Sequence, residues 1–458
     1  MTSFTGLAYT LLFLFPSLYT LGHGSSSPAP SSSTSLPIGS GGVGRPSLGE
    51  FALQKVLGDA GGVFGRADDE NTSSPFNNNN KDAKKSNHRS TWMSFLPDST
   101  PITEINIPGT HDSATWNFTQ TTADSIRHNA NPANGVLPAE VYRCQRVSLW
   151  ASLEAGVRFF DLRYGLDPEG VRLVFYHAHA LMSELATVDD VLFGFYNWLD
   201  RHPSEVVLLS FKIENTGINL TPADHLKTQF LLFQSLTTPA AKQYILQRHD
   251  SLGTLGPARG KIILLRRFDN PFDPSPGQGT ETVLPGLHLS PSVWTENSKG
   301  FFLVYNRQRN LSAHIEDYYE PRDLSPPDQS ASVNIDAKVS AVEGSLRLAA
   351  VSSSLPAEKV KEKSEEEEYE GELFITFTSA EHSANHPPVT PVVMALGNGT
   401  ESTPTGGVNR RLVKEILPSL RGKRVGIVII DFWDGLDIDG KGYEHGEEED
   451  VVGALLDL

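Results

Sequence analysis

The sequence has only one cysteine, Cys144, among its 458 residues. One cysteine cannot form an internal disulfide, so the stability of the fold has to come from its core. Basic residues are also scarce, since 38 Lys and Arg face 55 Asp and Glu and leave a formal net charge of −17. A nucleic-acid binder needs a basic face to neutralise phosphates, so this balance argues against that class. Any contact with anionic lipid has to depend on a local patch.

The apolar run near the N-terminus is short. The run from Leu7 to Gly22 has the length of a signal peptide and is too short for a confident membrane span. No Lys or Arg precedes it, which weakens this interpretation and leaves a membrane anchor as the competing one. Five Asn-x-Ser/Thr sequons support export; they lie at Asn71, Asn117, Asn219, Asn310 and Asn398. We therefore expect a signal peptide over residues 1–22 and a secreted glycoprotein.

The composition after this run predicts where folding starts. From His23 to Arg45 the chain is mostly Ser, Pro and Gly, which is typical of a flexible linker. Residues 46–64 have the pattern of a short helix, and residues 68–90 are polar again. We predict that residues 23–91 are low-complexity and mostly disordered, and that one catalytic domain occupies residues 92–458.

Within that domain, strand-like runs alternate with helix-like ones. Several strands are continuously apolar, as strands covered on both faces are. The predicted strands are Glu104–Ile107, Val157–Tyr164, Val171–Tyr176, Glu205–Lys212, Lys261–Arg266, Phe301–Tyr305, Leu373–Thr378 and Val425–Asp431. The predicted helices are Val147–Glu154, Thr187–Asp200, His225–Leu236, Asp336–Leu348 and Asn409–Leu420. About eight strands with intervening helices indicate an α/β fold, a distorted (β/α)8 TIM-type barrel.

Two charged segments interrupt this pattern. Residues 352–372 include KVKEKSEEEEYEGE, which we interpret as a solvated surface insertion. The tail over residues 436–450 resembles a calcium loop, but it has no Asp at the first ligand position and no closing Glu in register. We therefore predict a solvated acidic tail.

The segment ITEINIPGTHDS carries the first candidate site. Its β-branched residues alternate with polar ones, which predicts a strand that Pro108 and Gly109 stop. His111 and Asp112 follow directly, and a rigid strand end is where barrel enzymes place acid–base groups. The alternative is that His111 is a surface-loop histidine and Asp112 a helix N-cap.

The other strand ends are polar as well. Asp161 and Arg163 lie two residues apart and therefore share a face, for which a structural salt bridge is the alternative explanation. The remaining candidates are His177, His179, Lys212, Arg266, Arg267 and Asp431. Histidines transfer protons, and Arg or Lys stabilise anionic charge. This set suits phosphoryl transfer, and no GxSxG, Walker A or HExxH motif points to another chemistry.

Six motifs in order carry a resemblance to a known family. They are PGTHDS, GVRFFDLR, YHAHAL, PSEVVLLSFK, GKIILLRRF and VGIVIIDF, and they span roughly residues 92–435. Together they resemble the X-domain of phosphatidylinositol-specific phospholipases C, and the small bacterial-type, metal-independent branch most of all. The resemblance implies the barrel fold and cleavage of phosphatidylinositol-type lipids at a membrane surface into diacylglycerol and a cyclic inositol phosphate.

The resemblance also implies roles for the candidate residues. His111 matches the general base for the inositol 2-hydroxyl, and Asp431 matches the carboxylate that orients it. The general acid matches His177, with His179 as the alternative, because the usual His-Gly is His177-Ala178 here. Asp112 matches the aspartate that supports the acid. The phosphate contact matches Arg163 with Asp161 beside it, and the inositol-holding groups match Lys212, Arg267, Asp317 and Tyr319.

The functional expectation is therefore a phosphodiesterase that acts as a monomer, without a cofactor or metal. Cleavage of glycosylphosphatidylinositol anchors or of another phosphodiester is the alternative within enzymes. A non-catalytic barrel that binds lipid or glycan is the alternative from another class.

Overall fold

The computed structural model describes residues 47–66, 88–214, 220–272, 284–321, 331–352, 371–382, 385, 388–398, 403–435 and 450–458. The predicted signal peptide lies outside the described residues. So do the linker at 23–45, nearly all of the charged insertion at 352–372 and the acidic tail at 436–449. No helix in the described part of the chain is both long and apolar enough to cross a membrane.

A mixed sheet forms the centre of the molecule. Its strands are β1 (Ile107–Thr110), β2 (Phe159–Leu166), β3 (Leu173–His177), β4 (Ala180–Leu181), β5 (Val206–Ile213), β6 (Lys261–Arg267), β7 (Leu287–His288), β8 (Ser298–Asn306), β9 (Leu311–Asp317), β10 (Leu373–Phe377) and β11 (Ile427–Ile430). Eight of these described strands pair in parallel, in the order β7-β6-β5-β2-β1-β11-β10-β9. The predicted distorted (β/α)8 barrel is confirmed.

Alternation along the strands divides the core into two clusters. Side chains on one face of the sheet form the barrel interior, among them Ile107, Phe159, Leu208, Ile263 and Ile427. Side chains on the other face pack against the surrounding helices, among them Phe160, Leu209, Leu264, Val428 and Ile430. Because the period of a strand is two residues, every second residue after an interior apolar one also points inward.

The first strand begins later than predicted. Ile102–Glu104 forms a 3-10 turn, and Pro108 and Gly109 lie inside β1 instead of ending it. Pairing with β2 starts only at Gly109, so the missing N–H of Pro108 removes no bond from that ladder. A Cβ at Gly109 would lie 2.9 Å from the Cβ of Phe159, so only glycine lets the two strands approach here.

Two other strand predictions need correction. The segment predicted as a third barrel strand, Val171–Tyr176, is β3, and it returns antiparallel to β2 as a hairpin. Asp167 stabilises the hairpin turn, since its carboxylate accepts bonds from the Val171 and Arg172 N–H groups. The sequence prediction also missed β9, which pairs antiparallel with β8 and parallel with β10.

The helices surround the sheet. Those of six residues or more are Leu48–Phe64, Gln120–Ser125, Leu149–Ala155, Val188–Arg201, Pro222–Thr237, Pro239–Tyr244, Ala331–Ser352, Pro391–Leu396 and Val451–Leu456. Four-residue helices lie at Ala139–Tyr142, Leu255–Ala258 and Val408–Arg411. Thr187 and Asp190 form a capping box at the start of Val188–Arg201. The predicted helix Asn409–Leu420 changes to a π-helix at Leu412–Ile416 and a 3-10 turn at Leu417–Leu420, where Pro418 has no N–H to donate.

The helix Leu48–Phe64 corrects the predicted domain start near Trp92. Its end is buried against Val188–Arg201, and the rings of Phe64 and Phe195 meet edge to face with centroids 5.1 Å apart. The compact unit therefore begins at Leu48, inside the region that was predicted to be mostly disordered.

Candidate active site

Polar side chains follow the apolar ones at the carboxyl ends of the barrel strands. On β1 the interior position after Ile107 and Gly109 belongs to His111, and on β11 it belongs to Asp431, after Ile427 and Ile429. The same alternation brings in further polar residues from β2, β5, β6 and β9, which are Asp161, Arg163, Lys212, Glu214, Arg267 and Asp317. The sequence-predicted cluster therefore assembles at one end of the barrel.

His111 is held between a carboxylate and a guanidinium. Its Nδ1 lies 2.9 Å from Oδ1 of Asp431, and its Nε2 lies 2.7 Å from Nη2 of Arg163. Because a guanidinium only donates, Nε2 accepts, and Nδ1 carries the proton donated to Asp431. Burial, together with Arg163, His177 and Lys212, lowers the pKa of His111 well below 6.5. At neutral pH His111 is thus a neutral imidazole whose Nε2 lone pair accepts from Arg163 at the wall of the cavity.

A second histidine faces Asp112. Nε2 of His177 lies 3.3 Å from Oδ2 of Asp112, and Nδ1 of His177 donates to the Tyr142 carbonyl at 2.6 Å. The side chain of Asp112 is fully buried and makes no N-cap bond to the following 3-10 turn. Burial raises the pKa of Asp112 to about 6, while Arg163 and His177 oppose that rise. The second histidine–aspartate pair therefore lies beside the first.

His179, the alternative to His177, has different surroundings. Its Nε2 lies 3.0 Å from the Gly135 carbonyl and 3.2 Å from the Tyr142 hydroxyl. Residues His177 and Ala178 line the cavity, whereas His179 is not among its lining residues. Of the two candidates, the structure brings only His177 to Asp112.

Arg163 connects the carboxylates of the site. Its guanidinium lies 3.0 Å from Asp112, 3.1 Å from Asp161 and 3.1 Å from Glu214. Burial alone would lower the pKa of Arg163, but these anions outweigh it and hold the pKa above its ordinary value. The Asp161–Arg163 salt bridge that the sequence left as an alternative is present, but it is one contact of a larger ionic network around the two histidines.

Glu214 is a site residue that sequence analysis missed. It follows Lys212 at a spacing of two on the end of β5, so strand alternation alone could have identified it. Its Oε1 lies 3.4 Å from Nζ of Lys212. Burial would raise the pKa of Glu214, but Lys212 and Arg163 lower it to about 2. The site therefore holds a carboxylate that is ionised at neutral pH beside the Lys212 side chain.

Two aromatic side chains, Trp294 and Tyr319, contact charged residues of the site. The guanidinium of Arg267 lies 3.9 Å from the ring centroid of Trp294, and Nε1 of Trp294 donates to Asp317 at 2.9 Å. The Tyr319 hydroxyl donates to Glu296 at 3.3 Å. Trp294 and Glu296 belong to a loop that the sequence analysis did not connect with the site. Arg266 directly precedes Arg267 on β6, so its side chain lies on the opposite face of the strand and away from the site.

These groups line one cavity of about 260 Å³. It is open to solvent on one side, and its lining residues are His111, Val141, Arg163, His177, Ala178, Lys212, Glu214, Arg267, Glu296, Asp317, Tyr319, Ala380, Glu381, Pro391 and Asp431. The mixture of cations and carboxylates can bind an anion together with several hydroxyl groups.

One group among the described residues has the spacing of a metal site. Ligand atoms of His111, Asp112 and Cys144 lie within 4.8 Å of one another. The set fits a cation poorly, because the guanidinium of Arg163 lies 3.0 Å from Oδ2 of Asp112. Burial also raises the pKa of Cys144 well above 9, whereas a metal binds the thiolate.

Comparison with known proteins shows which proteins this chain resembles in sequence. No family model matches the chain. A 1-phosphatidylinositol phosphodiesterase of Listeria monocytogenes is 28% identical over 194 residues, which are 41% of this chain and 52% of that protein. The PI-PLC X domain-containing protein 3 of Danio rerio is 34% identical over 132 residues, which are 26% of this chain and 40% of that protein. The chain thus spans about half the length of the curated relatives it matches.

The fold is also found among solved structures. A mutant of the phosphatidylinositol-specific phospholipase C from Staphylococcus aureus aligns with a TM-score of 0.56 and 19% identity, covering 81% of this chain and 98% of that one. At this identity the likeness shows the fold. The chain is therefore similar in sequence to phosphatidylinositol-specific phospholipases C, and it shares the barrel fold of the bacterial enzyme.

Proposed function

We propose that this protein is a phosphodiesterase of the phospholipase C type that cleaves phosphatidylinositol into diacylglycerol and a cyclic inositol phosphate. The observation that carries the proposal is the pairing of two histidines with two aspartates around Arg163. The pairs are His111–Asp431 and His177–Asp112, and the two imidazole centroids lie 6.2 Å apart.

His111 is the general base of the proposed reaction. Its Nε2 takes the proton of the inositol 2-hydroxyl while that oxygen attacks phosphorus. The imidazolium that forms is stabilised by Asp431, which accepts the bond from Nδ1 at 2.9 Å. The lowered pKa of His111 keeps the base neutral before the reaction begins.

His177 is the general acid. As the bond between phosphorus and the diacylglycerol oxygen breaks, Nε2 of His177 gives its proton to that oxygen. The Asp112 carboxylate lies 3.3 Å from the same Nε2 and can accept its hydrogen bond before transfer. The proton gained by His111 and the proton lost by His177 balance over the step.

Arg163 supplies the positive charge at the phosphate. A guanidinium can donate two parallel hydrogen bonds to phosphate oxygens, and it remains charged throughout the reaction. It already lies within 2.7 Å of the proposed base and 3.0 Å of the aspartate that supports the proposed acid. The substrate phosphate would therefore be bound between the two histidines, aligned for proton transfer on both sides.

The remaining cavity groups suit a ring with many hydroxyls. Lys212 and Arg267 donate, Glu214 and Asp317 accept, and the Tyr319 hydroxyl can do both. We infer that these five residues hold the inositol head group. The lipid part remains at the membrane, so the proposed partner is a phosphoinositide-containing surface.

The direct test is to incubate the purified protein with phosphatidylinositol vesicles and to follow the reaction by phosphorus NMR. A cyclic phosphodiester resonance that appears with wild-type protein and not with His111→Ala would support the proposal. Release of a glycosylphosphatidylinositol-anchored protein without cleavage of phosphatidylinositol would favour the alternative substrate. Vesicle binding without any turnover would favour the non-catalytic barrel.

We also propose that the protein is secreted. The support is the N-terminal apolar run and the sequons, of which Asn310 is exposed at the turn between β8 and β9. Expression in a secreting eukaryotic cell should give a product in the medium whose mass falls on treatment with an N-glycosidase. Retention of an unglycosylated product inside the cell would contradict this proposal.

A further inference from the structure

The backbone is strained directly after each of three site residues. Asp112, Ala178 and Phe432 have φ angles of 39°, 48° and 46°, and they follow His111, His177 and Asp431. The left-handed region costs a residue with a side chain roughly 1–2 kcal/mol, and Ala and Phe rarely adopt it. Such conformations persist only where surrounding bonds hold them, so something has to hold all three turns.

One short segment makes those bonds. We call Tyr142–Gln145 the bracing segment, and it connects the helix Ala139–Tyr142 to the helix Leu149–Ala155. The Tyr142 carbonyl accepts from Nδ1 of His177 at 2.6 Å. The Cys144 carbonyl accepts from the Phe432 N–H at 2.9 Å. Four residues thus hold one histidine and the turn that follows Asp431.

The Gln145 side chain makes the connection to the proposed base. Its Nε2 lies 2.8 Å from the His111 carbonyl and 2.8 Å from the Ile430 carbonyl. Both neighbours are carbonyl oxygens, which only accept, so this atom is the amide nitrogen and both of its protons are used. The residue is 1% exposed. One buried amide therefore fixes the ends of β1 and β11 next to the His111–Asp431 pair.

We propose that Gln145 is a positioning residue that sets the geometry of the general base. It touches neither the cavity nor the reacting atoms, and it acts by holding the backbone from which His111 and Asp431 project. This inference rests on the proposed function, since it assigns a task to the same pair. It adds a residue that neither the sequence motifs nor the cavity lining identifies.

The expected effect follows from alignment. A displacement of about 1 Å at a reacting group can cost roughly 10² in rate, while substrate binding through other groups is kept. Gln145→Met preserves the length of the side chain and removes both donors. We expect its kcat to fall about 10- to 100-fold with KM within twofold of the wild type.

The matched control is Thr376→Val. Thr376 is fully buried on β10, and its hydroxyl lies 2.8 Å from Ser345 Oγ on the helix Ala331–Ser352, away from the cavity. This variant loses a buried hydrogen bond on the helix-facing side of β10 and leaves both hydrogen bonds of the Gln145 amide in place. If Gln145 acts only through stability, both variants should lose activity in proportion to their loss of melting temperature, and that result would overturn the proposal.

A second measurement does not depend on turnover. The Nδ1 proton of His111, shared with Asp431, should give a downfield proton NMR resonance in the wild type and in Thr376→Val. We expect the resonance to shift or broaden in Gln145→Met, and an unchanged resonance with unchanged kcat would refute the proposed role. If the wild type does not cleave phosphatidylinositol, the proposed function fails, while the resonance still tests the positioning.

A milder variant guards against misfolding. Gln145→Asn keeps the amide but is one methylene shorter, so it cannot reach both carbonyls. Its kcat should lie between those of the wild type and Gln145→Met. Full wild-type kcat in Gln145→Asn, with the NMR resonance unmoved, would also count against the proposal.

Discussion

The two histidines of the cavity are supported in different ways. His111 follows a barrel strand, and its carboxylate partner, Asp431, lies on Nδ1, behind the atom that faces the cavity. His177 ends a hairpin strand, and its Nδ1 donates to a neutral backbone carbonyl, while the carboxylate of Asp112 lies on its Nε2 side. A carboxylate behind an imidazole stabilises the charge formed when a base accepts a proton. Oδ2 of Asp112 lies 3.3 Å from Nε2 of both histidines, so this aspartate does not distinguish them. The partner of Nδ1, a carboxylate for the proposed base and a neutral carbonyl for the proposed acid, distinguishes the two.

The largest effect should come from removing the base. His111→Ala should lower kcat/KM by about 10²–10⁴-fold, since general acid–base groups contribute that much each. Activity is measured on phosphatidylinositol vesicles, and folding is checked by thermal melting.

The control for this variant is His314→Ala. His314 is buried on β9 and packs against Phe302 and Phe374, on the opposite side of the sheet from the cavity. It should keep nearly full activity even where it melts earlier. If His111→Ala retained near-full activity with a normal melting profile, the base would have to be another group.

Removing the acid should have a comparable or slightly smaller effect. His177→Ala should lower activity by about 10²-fold or more, and His179→Ala should leave it within a few fold. The reason is that, of these two histidines, His177 lies next to Asp112, whereas His179 bonds the Gly135 carbonyl. The opposite ranking in steady-state kinetics would transfer the role to His179, and equal small losses would favour the non-catalytic barrel.

The His111–Asp431 pair could be predicted from the sequence for a simple reason. Parallel strands end at the same edge, so polar residues at strand ends are brought together by the fold class alone. The inward position of each follows from the two-residue period. The same period would have identified Glu214, which is two residues after Lys212.

What the sequence did not reveal depends on tertiary pairing. The Leu173–His177 segment has the same apolar pattern as a barrel strand, and only the turn held by Asp167 makes it return along β2. Gln145 lies in a loop without periodicity. Its two backbone partners, His111 and Ile430, are 34 and 285 residues away in the sequence. Pro108 normally marks the end of a strand, yet here it lies where pairing with β2 has not begun.

The pH dependence of kcat/KM should report the protonation of Asp112. The proposed reaction needs neutral His111 and ionised Asp112, and Asp112 gains a proton as pH falls through its raised pKa of about 6. The acid limb of kcat/KM should therefore lie near pH 6, because the pKa of His111 is well below 6.5. Asp112→Asn should lower the rate by about tenfold or more and move the acid limb to lower pH. An acid limb that stays at pH 6 in this variant would assign it to a different group.

A smaller effect, on stability, should follow from relaxing the turn after His177. Ala178 is left-handed with a φ of 48°, at a strain of roughly 1–2 kcal/mol. Glycine adopts this region freely but loses about 0.5–1 kcal/mol more conformational entropy on folding. Ala178→Gly should therefore be about 0.5–1 kcal/mol more stable than the wild type in urea denaturation. Destabilisation would mean that packing of the methyl group outweighs the strain.

The smallest expected effect is that of a chelator, which should be none. Calcium needs six to eight oxygen ligands, and two buried carboxylates of the site already face Arg163, at 3.0 Å for Asp112 and 3.1 Å for Asp161. A divalent cation on those oxygens would have to displace a guanidinium that is itself able to neutralise the substrate phosphate. Cleavage of phosphatidylinositol should therefore proceed at the same rate in excess EDTA and in millimolar calcium. Loss of activity in the chelator, restored by calcium, would show that the charge at the phosphate comes from a metal and that Arg163 serves only to position the two aspartates.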